Sequence, residues 1–202
     1  MTSRDTIYSK IRSALTEVKD RADYPDYDSS VVHSAPKLAG TAREAFTRNF
    51  TAVSGKVIAS PAELADYLHQ GGQTRGYCDP SLMDAIGNAL AGSGLTVETT
   101  YDRARYEDYQ FGITRATGAI AETGSLILDD ARTTDRLAAL SPWVHVGVLR
   151  EEEIHRTVPD AIAALGPSSN VLWATGPSKT ADVEGILIEG VHGPGEQVAI
   201  FV

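Results

Sequence analysis

The sequence predicts an α/β fold, with a sheet covered by helices, and three observations lead to this prediction. Short apolar runs recur along the chain from about residue 42. Segments whose apolar residues lie at helical spacing separate several of these runs. Glycine, proline and capping residues mark the boundaries between the two kinds of segment. Strands that alternate with helices in this way build a sheet with helices on its faces.

The N-terminal element is an amphipathic helix, predicted over residues 3–19 with Ser3 as its cap. Its apolar residues lie at helical spacing: Ile7, Ile11, Leu15 and Val18. The stretch "KDRADYPDYDSS" then interrupts the periodicity and indicates a linker. We therefore expect an N-terminal helix and acidic linker over residues 1–30 and a single α/β domain over residues 31–202.

The remaining elements follow in order. Helices are predicted over residues 42–52, 61–70 and 81–92, and in two pieces over 151–166. Strands are predicted over residues 56–59, 74–78, 95–99, 143–149, 171–175 and 198–202, with two more within 118–130. The boundaries of the 61–70 helix are the clearest, because Ser60 and Pro61 precede it and two glycines follow it.

Composition excludes several classes of partner. The net charge is −9 and the chain carries no basic block. Nucleic acids and anionic membranes are bound through clustered Lys and Arg, so neither is expected as a partner. The apolar runs are too short to span a bilayer, and the N-terminus lacks the apolar core of a signal peptide. We expect a cytoplasmic protein that binds small molecules or other proteins.

The cysteine and histidine content bears on redox and metal chemistry. Cys78 is the one cysteine, so the chain cannot form an intrachain disulfide or supply the four thiolates that an iron-sulfur cluster usually takes. At the end of a predicted strand, Cys78 is expected to be buried and inert. His145 lies within an apolar strand and is expected to be a core residue. The histidines show no metal-ligand spacing, so no metal site is predicted.

The first candidate site follows the strand "VLWAT". Ligands of open α/β sheets bind beyond the carboxyl ends of the strands. The segment "GPSKTADVE" has the pattern of a tight turn leading into a helix N-terminus, where free amides and the helix dipole favour an anion. The predicted ligand-binding residues are Gly176, Ser178, Lys179, Thr180 and Asp182. The alternative is simple helix capping, which does not explain the lysine.

Two sharper motifs are nearly matched by this segment. A P-loop requires Lys directly before Ser or Thr in a glycine-rich loop, but Lys179 follows a serine and Pro177 removes an amide. A hydrolase elbow requires a glycine where Thr180 stands, and Asp182 lies too close in sequence to orient a distant histidine. We therefore reject the P-loop and keep a serine hydrolase only as an alternative. His192 in "GVHGPG" is the candidate proton carrier, because glycine and proline hold its turn.

The second candidate site is the segment "AIAETGSLILDD". Glu122 ends an apolar run, and partial burial there would suit it to acid-base or covalent chemistry. Thr123 and Gly124 complete the predicted site, since the glycine permits a turn. Arg136 could bind the charge of Glu122 or of a substrate carboxylate. The alternatives are a solvated glutamate and a surface pair between Arg136 and a neighbouring aspartate.

Several of these motifs together resemble the LutC/YkgG family, the LUD domain of lactate utilization protein C. They are "GITRATGAIAETGSLIL", "LSPWVHVGVL" and "GPSKTADVEGILIEGVHGP" with the apolar strand after it. The resemblance covers residues 111–202 in detail and the rest of the chain loosely. Ser125 departs mildly from the family, in which Thr is common after Glu-Thr-Gly.

The resemblance implies a three-layer α/β/α fold similar to the NagB, ribose-phosphate isomerase and CoA-transferase group. It also implies a role in oxidising L-lactate to pyruvate beside iron-sulfur partner proteins, with no cofactor bound by this chain. Two alternatives stay open: a non-catalytic accessory subunit, and an independent enzyme of the CoA-transferase or isomerase type. In the latter group a glutamate forms a covalent thioester, which would fall to Glu122 by analogy of fold.

Overall fold

The computed structural model describes residues 2–16, 18, 35–130, 132–133, 135–166, 170–181 and 186–202. The chain divides into two compact units, Met1–Val32 and His33–Val202. In the first, helix α1 spans Ser3–Thr16 and exposes its apolar stripe to solvent. Its cap is Thr2 rather than Ser3, because the Asp5 amide donates to the Thr2 hydroxyl. The predicted linker and domain boundary lie outside the described residues, and the boundary stays a prediction.

The second unit is built around a six-stranded sheet. Its strands are β1 (Gly55–Ile58), β2 (Arg75–Cys78), β3 (Thr96–Glu98), β4 (Phe111–Arg115), β7 (Val144–Leu149) and β12 (Glu196–Phe201). Their order across the sheet is β1-β12-β7-β4-β2-β3, and every neighbouring pair is parallel. Parallel strands bury both faces, which explains why β7 is buried along its whole length.

Two smaller sheets accompany the central one. The strands β5 (Gly118–Ile120), β6 (Ser125–Asp129), β8 (Ile154–His155) and β9 (Val171–Ala174) form a mixed sheet in the order β8-β5-β6-β9. The β5–β6 and β6–β9 pairs are antiparallel. The strands β10 (Lys179–Ala181) and β11 (Leu187–Glu189) form a separate antiparallel ribbon.

The helices of this unit are α2 (Ala42–Ala52), α3 (Pro61–Gln70), α4 (Asn88–Gly92), α5 (Leu137–Leu140) and α6 (Val158–Ala164). A 3₁₀ turn and a π-helical turn precede α4, over Pro80–Leu82 and Met83–Gly87. Helix α3 begins as predicted, because the Ser60 hydroxyl accepts the Glu63 amide at 3.2 Å and proline follows the cap. A capping box between Thr41 and Glu44 begins α2.

The two faces of the central sheet carry separate apolar cores. On one face, Leu64 and Leu68 of α3 pack with Leu90 of α4 against the sheet. On the other face, Phe46 of α2 packs with Leu126 of β6. The second sheet therefore shares a layer with α2 and α5.

The predicted α/β class is confirmed: a central parallel sheet is flanked by helices. Strand β4 was missed, because Gly112 and Thr114 interrupt its apolar pattern. The prediction of two helical pieces over residues 151–166 is wrong for the first piece. Glu151–Glu153 form a single 3₁₀ turn that leads directly into β8, and only α6 is a helix. No helix of the described chain is long and apolar enough to cross a membrane.

Candidate functional site

Three of the predicted site residues, Gly124, Gly176 and Lys179, lie around the C-terminal end of α2. The β5–β6 turn approaches it so closely that a Cβ on Gly124 would lie 2.4 Å from the backbone nitrogen of Phe50. A Cβ on Gly176 would lie 2.0 Å from the carbonyl oxygen of Val53. Both glycines have positive φ, at 64° and 72°. Glycine is therefore required at both positions, by contact and by conformation.

A chain of three hydroxyl groups joins the two predicted segments. Thr123 Oγ1 lies 2.6 Å from Ser125 Oγ, which lies 2.7 Å from Thr175 Oγ1. Ser125 is 1% exposed, whereas Thr175 is exposed at the end of β9. The chain therefore runs from the buried start of β6 to solvent. The sequence indicated Thr123. It did not indicate the contact between Ser125 and Thr175, because these two residues are separated by about fifty positions in the chain.

Lys179 is engaged by two partners. Its ammonium donates to the Ser54 hydroxyl at 2.9 Å and pairs with the Glu189 carboxylate at 3.2 Å. Ser54 has φ of 71°, a left-handed conformation that is uncommon for a residue other than glycine. Glu189 lies directly across the ribbon from Lys179. The side chains of Lys179 and Glu189 are both open to solvent, which screens the attraction between their charges.

Ser178 and the loop that carries His192 lie together. The Ser178 amide donates to the Pro194 carbonyl at 2.8 Å, and the Ser178 carbonyl accepts from the Gly190 amide at 2.9 Å. A Cβ on Gly193 would lie 3.1 Å from that of Ser178. His192 itself is exposed on this loop.

The predicted helix N-terminus after Thr175 is wrong in the described residues. Lys179–Ala181 form strand β10, in which Thr180 pairs with Ile188 of β11. The physical reason is the apolar run "ILIE", which offers β10 a pairing partner that a helix would not use. Asp182 lies outside the described residues. Among the described residues, therefore, no helix begins at Ser178 or Lys179 to attract an anion there.

Glu122 lies at the start of helix α6. Its carboxylate accepts the Val158 amide at 3.2 Å, and its own amide donates to the Arg156 carbonyl at 3.0 Å. Val158 is the first residue of α6, so the carboxylate satisfies one of the free amides of that helix and complements its dipole. The N-cap of α6 is Thr157, which forms a capping box with Asp160, and Glu122 adds a further acceptor at this helix start.

Arg136 is placed away from Glu122. Its guanidinium pairs with Asp130 at 3.1 Å, the surface pair that was the alternative interpretation. Asp130 follows the last residue of β6, whereas the Glu122 turn precedes the first. Five strand residues span about 13 Å at 3.3 Å per residue, so the two side chains belong to opposite ends of β6.

The cluster lies at the amino edge of the central sheet. Ser54, the partner of Lys179, immediately precedes β1. Pro194, the partner of Ser178, lies just before β12. The strand ends that we used to predict the site, those of β5 and β9, belong to the second sheet. The prediction of a site beyond the carboxyl ends of the central strands is therefore wrong for Ser178 and Lys179.

His145 is a core residue, as predicted. It is 1% exposed between two neighbouring strands: its Nε2 lies 2.8 Å from Thr114 Oγ1 and its Nδ1 lies 2.6 Å from Gln197 Nε2. The side-chain NH₂ group of Gln197 can only donate, so Nδ1 of His145 accepts. The Nε2 of His145 therefore carries the proton and donates to Thr114. Burial lowers the pKa of His145 to about 4. The imidazole is therefore neutral at physiological pH.

Cys78 is buried, also as predicted, and burial raises the pKa of its thiol to about 12. A thiol with so high a pKa is a poor nucleophile and a poor metal ligand at neutral pH. Across the described chain, no three His, Cys, Asp or Glu side chains converge to hold a metal ion.

Comparison with known proteins places this chain in a family. A family model of the LUD domain matches residues 81–202. Lactate utilization protein C of Deinococcus radiodurans is 39% identical over 89 residues, which cover 42% of this chain and 42% of that protein. Lactate utilization protein C of Bacillus subtilis is 28% identical over 104 residues, 48% of this chain and 43% of that protein. The matches thus span less than half of the length of these relatives.

A solved structure supports the fold. The crystal structure of a DUF162 family protein from Deinococcus radiodurans matches with a TM-score of 0.57 and 24% sequence identity. The match covers 80% of this chain and 96% of that one.

Proposed function

Because the chain belongs to the LUD domain family, which includes lactate utilization protein C, we propose that it serves the oxidation of L-lactate to pyruvate. Its role is that of a non-catalytic subunit beside iron-sulfur partner proteins. The observation that carries this choice is the engagement of Glu122, the predicted acid-base group, and of Lys179, a predicted ligand-binding group. Glu122 accepts the first amide of α6, and Lys179 is held by Ser54 and Glu189.

The redox balance of the reaction supports the need for partners. Oxidising lactate to pyruvate removes two electrons and two protons, which an acceptor must take. The one cysteine of this chain is buried and cannot supply the ligands of an iron-sulfur cluster. The electrons would therefore pass to clusters in the partner proteins.

Deletion of the gene in its native host tests the role. The deletion strain should fail to grow on L-lactate and should grow normally on pyruvate, because the defect precedes pyruvate. A plasmid copy of the gene should restore growth on L-lactate. Normal growth of the deletion strain on L-lactate would contradict the proposal.

A second candidate function is the binding of a small anion beside Lys179. The observation in its favour is that the Lys179 ammonium has three N–H groups and engages two described partners, Ser54 and Glu189. A carboxylate or phosphate could take the third N–H. This function would also suit an enzyme of the CoA-transferase or isomerase type.

Thermal unfolding with and without ligands tests this second function. The probes are L-lactate, pyruvate, coenzyme A and sugar phosphates. A ligand at a hundred times its dissociation constant adds about 2.7 kcal/mol to the free energy of unfolding. Lys179→Ala should abolish the shift, whereas Lys56→Ala, which removes an exposed lysine stacked on Tyr67, should retain it. If no probe shifts the unfolding temperature, the anion site is absent.

A further inference from the structure

The outer edge of β11 is exposed, and no other described strand pairs with it. In the described chain, β11 pairs with β10 alone. The strand is apolar and accessible: Leu187 is 57% exposed and Ile188 is 44% exposed. Exposed edges usually carry charged side chains, proline or a bulge that blocks pairing. The one charged residue of β11, Glu189, is paired with Lys179, and the strand contains no lysine or proline. The ribbon has only two strands, so a further strand on the edge of β11 would stabilise it.

The hydrogen-bond pattern of the ribbon shows which groups face outward. The Gly190 amide donates to the Ser178 carbonyl, which makes this a hydrogen-bonded pair. Because such pairs alternate along an antiparallel ladder, Ile188 also uses its backbone groups toward β10. The backbone groups of Leu187 and Glu189 therefore point away from β10 and are available for pairing.

We propose that β11 pairs antiparallel with β11 of a second copy of this chain, around a two-fold axis at Ile188. Antiparallel pairing of identical strands is compatible with two-fold symmetry. This register sets Leu187 opposite Glu189 of the partner subunit, and the reverse. Leu187 of each copy then forms two backbone hydrogen bonds with Glu189 of the partner subunit, and these bonds satisfy all of the outward backbone groups. The two ribbons form one four-stranded sheet.

Charge and packing favour this occupant and this register. Each Glu189 is already paired with Lys179 of its own ribbon, so the shared edge carries little net charge. Ile188 faces itself in a non-hydrogen-bonded pair, the arrangement in which side chains lie closest. A register centred on Glu189 would instead place two carboxylates opposite each other, which is destabilising. The inference is independent of the proposed role in lactate oxidation.

The molecular mass of the purified chain in solution tests the dimer. Sedimentation equilibrium should give twice the 21.6 kDa of the monomer. Ile188→Lys places two ammonium groups opposite each other and should raise the dissociation constant ~tenfold or more. Ile162→Lys alters an isoleucine on α6 that is 57% exposed and should leave the constant unchanged. Circular dichroism should show both variants folded, because neither side chain is buried.

Cysteine cross-linking tests the register. Cα atoms of a non-hydrogen-bonded pair lie about 4.5 Å apart, within the range of about 4.4–6.8 Å for disulfides. Ile188→Cys should therefore form a covalent dimer on mild oxidation, whereas Leu187→Cys should form it much more slowly. Cys78 is buried and does not compete.

Three results would overturn the inference. The first is a monomer at every accessible concentration, and the second is a dimer that Ile188→Lys does not weaken. The third is a dimer that Ile11→Lys abolishes, since that residue lies on the exposed stripe of α1 and would indicate pairing of helices. Growth on L-lactate is scored separately, so failure of the dimer leaves the proposed function standing.

Discussion

At the residue scale, the Glu122, Arg136 and Lys179 side chains of the predicted site each contact other residues of the fold. His145 shows how burial decides the state of a titratable group. Its two ring nitrogens are satisfied by Thr114 and Gln197, so the neutral form is stable in the core. A buried histidine in an apolar strand is predictable from sequence, and so is the inert Cys78. The partners of His145 are not predictable, because they come from other strands of the sheet.

The depressed pKa of His145 makes the free energy of unfolding depend on pH. Between pH 6.5 and about 4 the unfolded chain binds a proton that the folded chain does not, so stability falls as the pH falls. Urea unfolding should show a loss of about 2 kcal/mol between pH 7 and pH 5 from this residue. His145→Asn should lose less of its free energy of unfolding over the same pH range, because asparagine does not titrate. Equal losses in the two proteins would contradict the burial argument.

Substitution by alanine is predicted to destabilise the fold more at Gly176 than at Gly94, although both glycines have positive φ. A Cβ there would meet the Val53 carbonyl, whereas a Cβ on Gly94 would meet no atom within 4 Å. Gly94→Ala should cost about 1 kcal/mol from conformation alone. Gly176→Ala should cost about 2 kcal/mol more, because backbone must move. Chemical denaturation measures both, and equal costs would show that the contact is relieved easily.

At the element scale, local signals predicted the helices well and the ribbon poorly. Ser60 and Pro61 mark α3 because capping is decided by a few adjacent residues. Strand β10 was read as a helix start because its partner, β11, lies farther along the chain and no local residue reveals the pairing. The contact of Glu122 with the start of α6 was likewise hidden, because Glu122 lies 36 residues earlier, in the turn between β5 and β6.

Substitutions of Glu122 separate capping from catalysis. Glu122→Gln keeps an oxygen that can accept the Val158 amide, so it should lower the free energy of unfolding by less than about 0.5 kcal/mol. Glu122→Ala removes the acceptor and should cost about 1 kcal/mol. Thermal or urea unfolding measures both. The same cost for the two variants would show that the cap is not the stabilising contact.

At the scale of the whole molecule, class and family were predictable but the position of the site was not. Apolar runs between helical segments indicated the α/β class, and the motifs "GPSKTADVE" and "HGP" indicated the family. The two sheets are not distinguishable in the sequence, because both are built from short apolar strands. The Ser178 cluster was therefore expected at the carboxyl edge of the central sheet, and it lies at the amino edge.

The rate of L-lactate oxidation in extracts of the complemented deletion strain tests the central claim, that the chain serves this reaction without catalysing it. The wild-type gene should restore the rate lost on deletion. Glu122→Gln and Lys179→Ala should each restore at least about half of it, because both residues brace the fold. If either variant is folded and present at normal levels yet loses about a hundredfold or more of the rate, as removal of an acid-base group does, the residue is catalytic and the account is wrong.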